Sequence, residues 1–231
     1  MNTSILFVEI ILAFSAVVAA GWLFGEYGLT AWVAFATVAA NIMTAKTSVI
    51  FGMDAATGTV LFASTFLATD ILCERYGAQA ARRAVYIGLA SIIAFTVAAQ
   101  ITLAYRPSPF DYAQDSMSTL FALNLRISIS SAIMYFIANL ADVALFEGIR
   151  KKTGERKLWL RNNVSTILCN CAENFAFIFL AFAGIYSARE CVVIAASTSL
   201  IEAVVAVCDT PFLYLATREA RSYGNGEKVT Q

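Results

Sequence analysis

The 231-residue chain contains no histidine. That removes imidazole as general base, proton shuttle and metal ligand, and with it the commonest route to acid–base catalysis near neutral pH. Charge is scarce as well. Asp, Glu, Lys and Arg make up 14% of the residues, against about 25% in soluble domains. Only three prolines and twelve glycines punctuate the chain, and no low-complexity segment interrupts it. The five cysteines (Cys73, Cys169, Cys171, Cys191, Cys208) show no C-x-x-C spacing and read as small buried residues. There is no G-x-x-x-x-G-K-[ST], so the chain has no P-loop with which to hydrolyse a nucleotide. G-x-S-x-G and G-x-G-D are missing too, which argues against an intramembrane hydrolase.

What is present is apolar length. The chain is 59% hydrophobic, with a mean hydropathy of +0.71. Seven stretches approach the roughly 20 apolar residues that a helical span needs: 4–24, 29–51, 57–73, 84–104, 125–146, 164–186 and 191–215. The fold expected is an all-α polytopic membrane protein. The first stretch lacks a basic leader and a small-residue cleavage site, so it is expected to be a retained helix. Basic residues divide unevenly between the connections. Twelve (Arg75, Arg82, Arg83, Arg150, Lys151, Lys152, Arg156, Lys157, Arg161, Arg218, Arg221, Lys228) fall on one side, and Arg106 and Arg189 on the other. The positive-inside rule then puts the C-terminus in the cytoplasm and, with seven spans, the N-terminus outside. Topology explains these basic loops better than nucleic-acid binding does.

Six spans from Leu29 onward already satisfy the charge bias. The organisation expected is an additional N-terminal helix (1–27), a six-helix transporter core (28–217) and a disordered cytoplasmic tail (218–231). The segment 105–119, with Pro107 and Pro109, reads as the main external loop. Trp22, Trp32 and Trp159 fit interfacial anchors.

Polar residues inside the apolar stretches are the second signal. A charged side chain at mid-membrane costs at least about 2.5–3.5 kcal/mol, so it marks a pathway or a site by default. Helical spacing sorts these residues into stripes. Tyr135, Asn139, Asp142 and Phe146 share one face, as do Thr166, Asn170, Glu173 and Phe177. Another stretch offers Phe62, Phe66 and Thr69 or Asp70; a fourth gives Thr37, Asn41 and Thr44, with Lys46 just beyond; the last carries Glu202 and Asp209. Three of the stretches echo one another weakly through an Asp in their inner half: LATDILCERYG, NLADVALFEGIRKKTG and AVCDTPFLYL. Single Asn and Thr residues serve equally well as interhelical hydrogen-bond partners, but such pairs average only about 0.6 kcal/mol. Several carboxylates in one bundle point instead to a polar ligand or ion pathway. Carboxylate, carboxamide and aromatic ring together suit a flat, donor-rich heterocycle such as a guanine-like base; they also suit small cations and protons.

The segment LATDILCERYGAQAARRAVYIGL, with ANIMTAKT, NLADVALFEGIRKKTGERKLWLRNNVST and CDTPFLYL, resembles the signature blocks of the queuosine precursor transporter family, a vitamin uptake transporter group. The blocks follow the family's order and cover most of the chain from Leu29 to Arg218. The resemblance implies a bacterial inner-membrane importer of 7-deazaguanine compounds (preQ0, preQ1 or queuine) that salvages precursors for a tRNA modification. By position it carries Asn41, Lys46, Asp70, Asn139, Asp142 and Asp209 into the substrate-binding set. The stripes add Asn170, Glu173, Phe66 and Phe177. This chain has Asn170 and Glu173-Asn174 where family members commonly show Gln or Asn followed by Asp-Thr. Glu reaches one methylene further, which leaves the precise ligand form open. Lys46 pairs with an acid or snorkels to the outer interface.

No cofactor, no metal and no nucleic acid is expected, and the only partners implied are the small-molecule substrate and membrane lipids. Transport is uncoupled, proton-coupled through a carboxylate, or powered by a partner. A core of this size also resembles the substrate-binding subunits of energy-coupling-factor importers, which need a separate ATPase. An intramembrane enzyme is the remaining class, disfavoured by the missing histidine and motifs.

Overall fold

The computed structural model describes residues 2–121 and 125–226. Helices dominate it: α1 (Asn2–Met43), α2 (Thr59–Tyr76), α3 (Ala78–Ala104), α4 (Gln114–Phe121), α5 (Leu125–Thr153), α6 (Leu158–Phe182) and α7 (Ala188–Gly226). Five of them (α1, α3, α5, α6 and α7) are long and apolar enough to cross a membrane. Their outward faces carry Ile11, Leu12, Ile93, Val97, Val193 and Val207, all exposed, as a lipid-facing surface requires.

The first two apolar stretches share α1, which breaks at Gly25 (φ 59°, ψ −136°). A positive φ of this kind costs glycine little and other residues much. The arms on either side fold back on each other. A Cβ at Gly28 would lie 2.2 Å from the Ala20 carbonyl oxygen, whereas eight residues of straight helix span about 12 Å. The far end of the first arm consequently returns to the end of the second, where the Asn2 amide donates to the Val49 carbonyl at 3.1 Å. The first arm is part of the core: Leu6, Ile10, Phe14, Val17 and Val18 are buried with residues of α2 and α7, and Phe14 meets Phe212 edge-on at 5.5 Å.

The second arm stops at Met43, short of residue 51, where the apolar run ends. Thr47–Ile50 (β1) and Met53–Ala56 (β2) form an antiparallel hairpin instead. Phe51 and Gly52 turn it with positive φ at both positions (53° and 79°), the requirement of the tight turns that match strand twist. The β-branched run Thr47-Ser48-Val49-Ile50 favours strand over helix.

Helix α2 occupies the centre. It packs against α1, α3, α5 and α7, and residues 63–73 are buried on every side. It holds Asp70, Glu74 and Arg75, which makes it too polar to face lipid, and its neighbours shield it. Trp32 donates its indole N–H to Ser64 Oγ at 2.9 Å and so ties the second arm to α2.

The chain ends and connections sort into two ends of the bundle. One holds the β-hairpin, residues 105–121 with α4 inside the expected loop, and the turn at Gly184. The other holds the turns at Gly25 and Gly77 and the link between α5 and α6. We refer to them as the hairpin end and the basic end. The basic loop expected at 147–163 is mostly helix. Helix α5 runs on to Thr153 with Arg150, Lys151 and Lys152 in its last turn, where cations oppose the helix dipole favourably, and a single 3₁₀ turn (Gly154–Lys157) leads into α6. Helix α7 contains Pro211 and continues to Gly226, past residue 218; residues 227–231 lie outside the described residues.

The close approach at Gly28 is testable. Gly28→Ala forces a methyl group into Ala20 and Phe24 and should cost about 1–3 kcal/mol, lowering the thermal midpoint of the detergent-purified protein. Gly148→Ala, in α5 with nothing within 4 Å, should leave the midpoint unchanged or raise it, since Ala is favoured over Gly in a helix interior by up to about 1 kcal/mol.

Candidate functional site

Two groups of buried polar side chains lie within the bundle. The first is nearer the basic end. Asp70 of α2, Asp142 of α5 and Asp209 of α7 are each fully buried. Asp70 is close enough to both others for their charges to act on it, and its carboxyl is within hydrogen-bonding reach of Asp142. The three stretches that echo one another in the sequence thus bring their aspartates together.

Helix α6 furnishes the donors. Asn162 Nδ2 donates to Asp209 Oδ1 at 2.6 Å, and the Thr166 hydroxyl donates to Asp142 Oδ1 at 3.3 Å. Next to them Asn163 Nδ2 donates to the Thr210 hydroxyl at 2.7 Å. Five acceptors of the group have no donor among the described residues: both oxygens of Asp70, Asp142 Oδ2, Asp209 Oδ2 and Asn162 Oδ1.

The second group lies one to two helical turns toward the hairpin end. Glu173 of α6 is buried beside Glu202 of α7, whose Oε2 accepts from Asn174 Nδ2 at 2.6 Å. Asn170 is buried with both amide atoms unpaired, and Glu173 Oε2 and Asn139 Oδ1 are also unpaired. Asn139 Nδ2 caps the Tyr135 carbonyl at 3.0 Å. Aromatic rings line this region: Phe62 meets Phe66 at 5.4 Å and Tyr135 at 6.2 Å, both edge-on. The Tyr135 hydroxyl sits against Gly88, where a Cβ would come within 2.2 Å of it. Glu173 is close enough for its charge to reach Tyr135. Cys169 lies between the groups, within reach of both Asp142 and Glu173. The first group offers acceptors alone, while the second offers a donor, acceptors and flat apolar faces.

Comparison with known proteins agrees with the sequence blocks. The family model described as "Putative vitamin uptake transporter" matches residues 56–216. A protein of Bacillus subtilis (strain 168) named "Probable queuosine precursor transporter" is 36% identical over 196 residues, 84% of this chain and 86% of that one. The chain belongs to the vitamin uptake transporter family. The "Queuosine precursor transporter" of Escherichia coli (strain K12) is 30% identical over 135 residues, 58% of each chain. A "Probable queuosine precursor transporter" of Haemophilus influenzae is 27% identical over 132 residues, 57% of this chain and 54% of that one. No solved structure matches the chain. Like these transporters the chain is not an enzyme, and it is a multi-pass protein of the bacterial plasma membrane.

In this member of the vitamin uptake transporter family, Asp70, Asp142 and Asp209 form one group, and Asn139, Asn170 and Glu173 belong to the other, with Phe66 beside them. Three expected residues stand apart. Lys46 is exposed in the turn after α1, consistent with a side chain at the hairpin-end interface. Asn41 is half-buried, with a long 3.5 Å contact from its Nδ2 to the Ser131 hydroxyl. Phe177 meets Phe182 edge-on at 6.3 Å, beside the small apolar cluster of Ile178, Cys191 and Ala195.

Sequence reasoning passed over Asn162 and Arg161. Both sit in the run LWLRNN, which scans as a basic loop and folds as the first turns of α6. Arg161 is wholly buried. Its guanidinium donates to Glu74 Oε2 and, at 2.9 Å, to the Gly154 carbonyl, and it lies over the Phe146 ring at 5.3 Å. Arg150 adds a bond to the Cys73 carbonyl at 3.1 Å and a longer contact to Glu74 at 3.9 Å. Glu74 thus fastens α2 to α5 and α6 just below the three aspartates.

Removing one partner of a buried ion pair leaves the other uncompensated, which costs about 3–5 kcal/mol. Glu74→Leu should accordingly lower the thermal midpoint of the purified protein steeply. Combining it with Arg161→Met should recover much of the loss.

Proposed function

We propose that this chain imports queuosine precursors, holding a 7-deazaguanine base between α5 and α6 in the second polar group. The observation that carries this reading is the set of unpaired atoms there: Asn139 Oδ1, both amide atoms of Asn170 and Glu173 Oε2. A buried polar atom without a partner costs about 1–3 kcal/mol, so four of them on the adjacent helices α5 and α6 suit a site that a ligand completes. A guanine-like edge presents two parallel N–H donors, which a carboxylate accepts, beside a carbonyl, which a carboxamide N–H meets. Glu173 takes the donors, Asn170 the carbonyl, and Asn139 a remaining N–H. Phe66, Phe62 and Tyr135 supply the flat surface against which a fused ring packs. The names of the relatives, above all the one matched across most of both chains, support the cargo class.

We read the two arms of α1 as separate crossings and α2 as a crossing sheltered by its neighbours, which makes seven. The basic connections then face the cytoplasm and the N-terminus lies outside. Residues 28–217 form the six-helix transporter unit, and residues 1–27 are an added helix packed into the same hydrophobic core.

The test is uptake by a bacterium that cannot make these precursors and expresses this chain alone. The nitrile, aminomethyl and queuine forms are supplied singly at nanomolar concentration, and queuosine in tRNA is measured. Restored modification is the expected result, and the form that restores it is the substrate. If the purified chain binds a precursor yet restores nothing, a separate energising partner is required, as in energy-coupling-factor importers. If it neither binds nor restores, the reading falls.

Glu173→Gln keeps the size of the side chain but removes the charge that strengthens two hydrogen bonds. Uptake at limiting precursor should fall about 10- to 100-fold, with protein level and thermal midpoint close to wild type. Unchanged uptake would take Glu173 out of the site.

A further inference from the structure

The group nearer the basic end differs in kind from the proposed base site. Its unpaired atoms are all acceptors: both oxygens of Asp70, one each of Asp142 and Asp209, and Oδ1 of Asn162. Asn162 is itself fully buried and aimed into the group, since its Nδ2 is bound to Asp209. An all-acceptor lining leaves the carbonyl of a guanine-like edge without a donor. The lining fits a positive charge.

Among the described residues no cation is found to supply that charge. The groups facing Asp70 are Asp142 from α5, Asp209 from α7 and Cys73 from its own helix, with Asn162 and Thr166 beyond them from α6. Glu74, Glu147 and Arg150 follow one turn lower, near Cys73. Among the described residues every ion pair involves Glu26, Glu74 or Glu147, and Arg150 and Arg161 are both committed to Glu74. Among those residues, too, no group of three Cys, Asp or Glu side chains is arranged to hold a metal ion. A proton requires only one carboxyl oxygen and one acceptor facing it, which Asp70 and Asp142 provide.

We propose that Asp70, Asp142 and Asp209, with Asn162, form a proton-carrying site separate from the base site, and that a proton moves with each imported precursor. This inference rests on the importer reading above. In each cycle one H⁺ binds a carboxylate of the group from the outer side and leaves the same carboxyl group to the cytoplasm; no bond to the precursor forms or breaks. Asn162 positions Asp209, and Glu74 holds the Arg150 and Arg161 guanidinium groups to itself.

The experiment uses the full chain purified into liposomes containing a trapped pH indicator, with the uncharged nitrile precursor as probe. An inside-alkaline gradient should drive accumulation several-fold above equilibrium, and a precursor gradient alone should acidify the lumen. Asp209→Asn and, separately, Asp70→Asn should abolish both effects. Wild-type exchange with no proton movement overturns the inference and leaves the importer intact, as does accumulation driven by a sodium gradient instead. Absence of any wild-type exchange or binding removes the importer reading, and this inference with it. The wild-type flux decides the matter even if a variant fails to fold.

Discussion

A carboxylate has no place in hydrocarbon, and the architecture of this protein follows from that constraint. Helix α2 carries Asp70, Glu74 and Arg75 through the middle of the molecule because four other helices wrap it. The wrapping sets the requirements for the rest. The outer helices must be apolar outward to face lipid and small or polar inward to close on α2. The ring must also be complete, which explains why the first arm of α1 packs its Phe14 into the same core as α2 and α7. A polar axis inside an apolar sleeve is costly to build, and its polar groups are the part that a transporter can use.

Along that axis the side chains are sorted by chemistry. At the basic end Glu74 finds two guanidinium groups and its charge is settled. One turn higher the three aspartates find amides and hydroxyls but no cation. Further toward the hairpin end, carboxylate and carboxamide mix with aromatic rings. Most of the buried unpaired atoms lie at the two upper levels. The single turns between levels mean that occupation of one is felt electrostatically at the next: Cys169 already lies within reach of carboxylates from both polar groups.

Much of this was legible in the sequence, for physical reasons. Apolar length identifies membrane helices because the bilayer demands it, and spacing along the helix placed Asn139 with Asp142 and Asn170 with Glu173 on common faces. The shared Asp in three stretches foreshadowed the group that Asp70, Asp142 and Asp209 form. Other features were hidden. Hydropathy does not distinguish a strand from a helix in a short apolar run, so the first strand of the hairpin, Thr47–Ile50, reads as the end of a span. Arg161 reads as a loop cation because its burial depends on Glu74, 87 residues away. Phe177 shares a helix with Glu173, yet its ring is turned to the apolar cluster at the far end of α6, which periodicity alone does not resolve.

Pro211 gives α7 a mechanical property that its neighbours lack. With no amide hydrogen it leaves the Val207 carbonyl without its helical partner, and its ring crowds that same carbonyl, a local penalty of about 3 kcal/mol in helix rigidity. The joint falls two residues beyond Asp209. The weakest point in the hydrogen-bond ladder of α7 therefore lies at the depth of the aspartates. A bend at that point would change the distance from Asp209 to Asp70 and Asp142 while the helix on either side stayed folded.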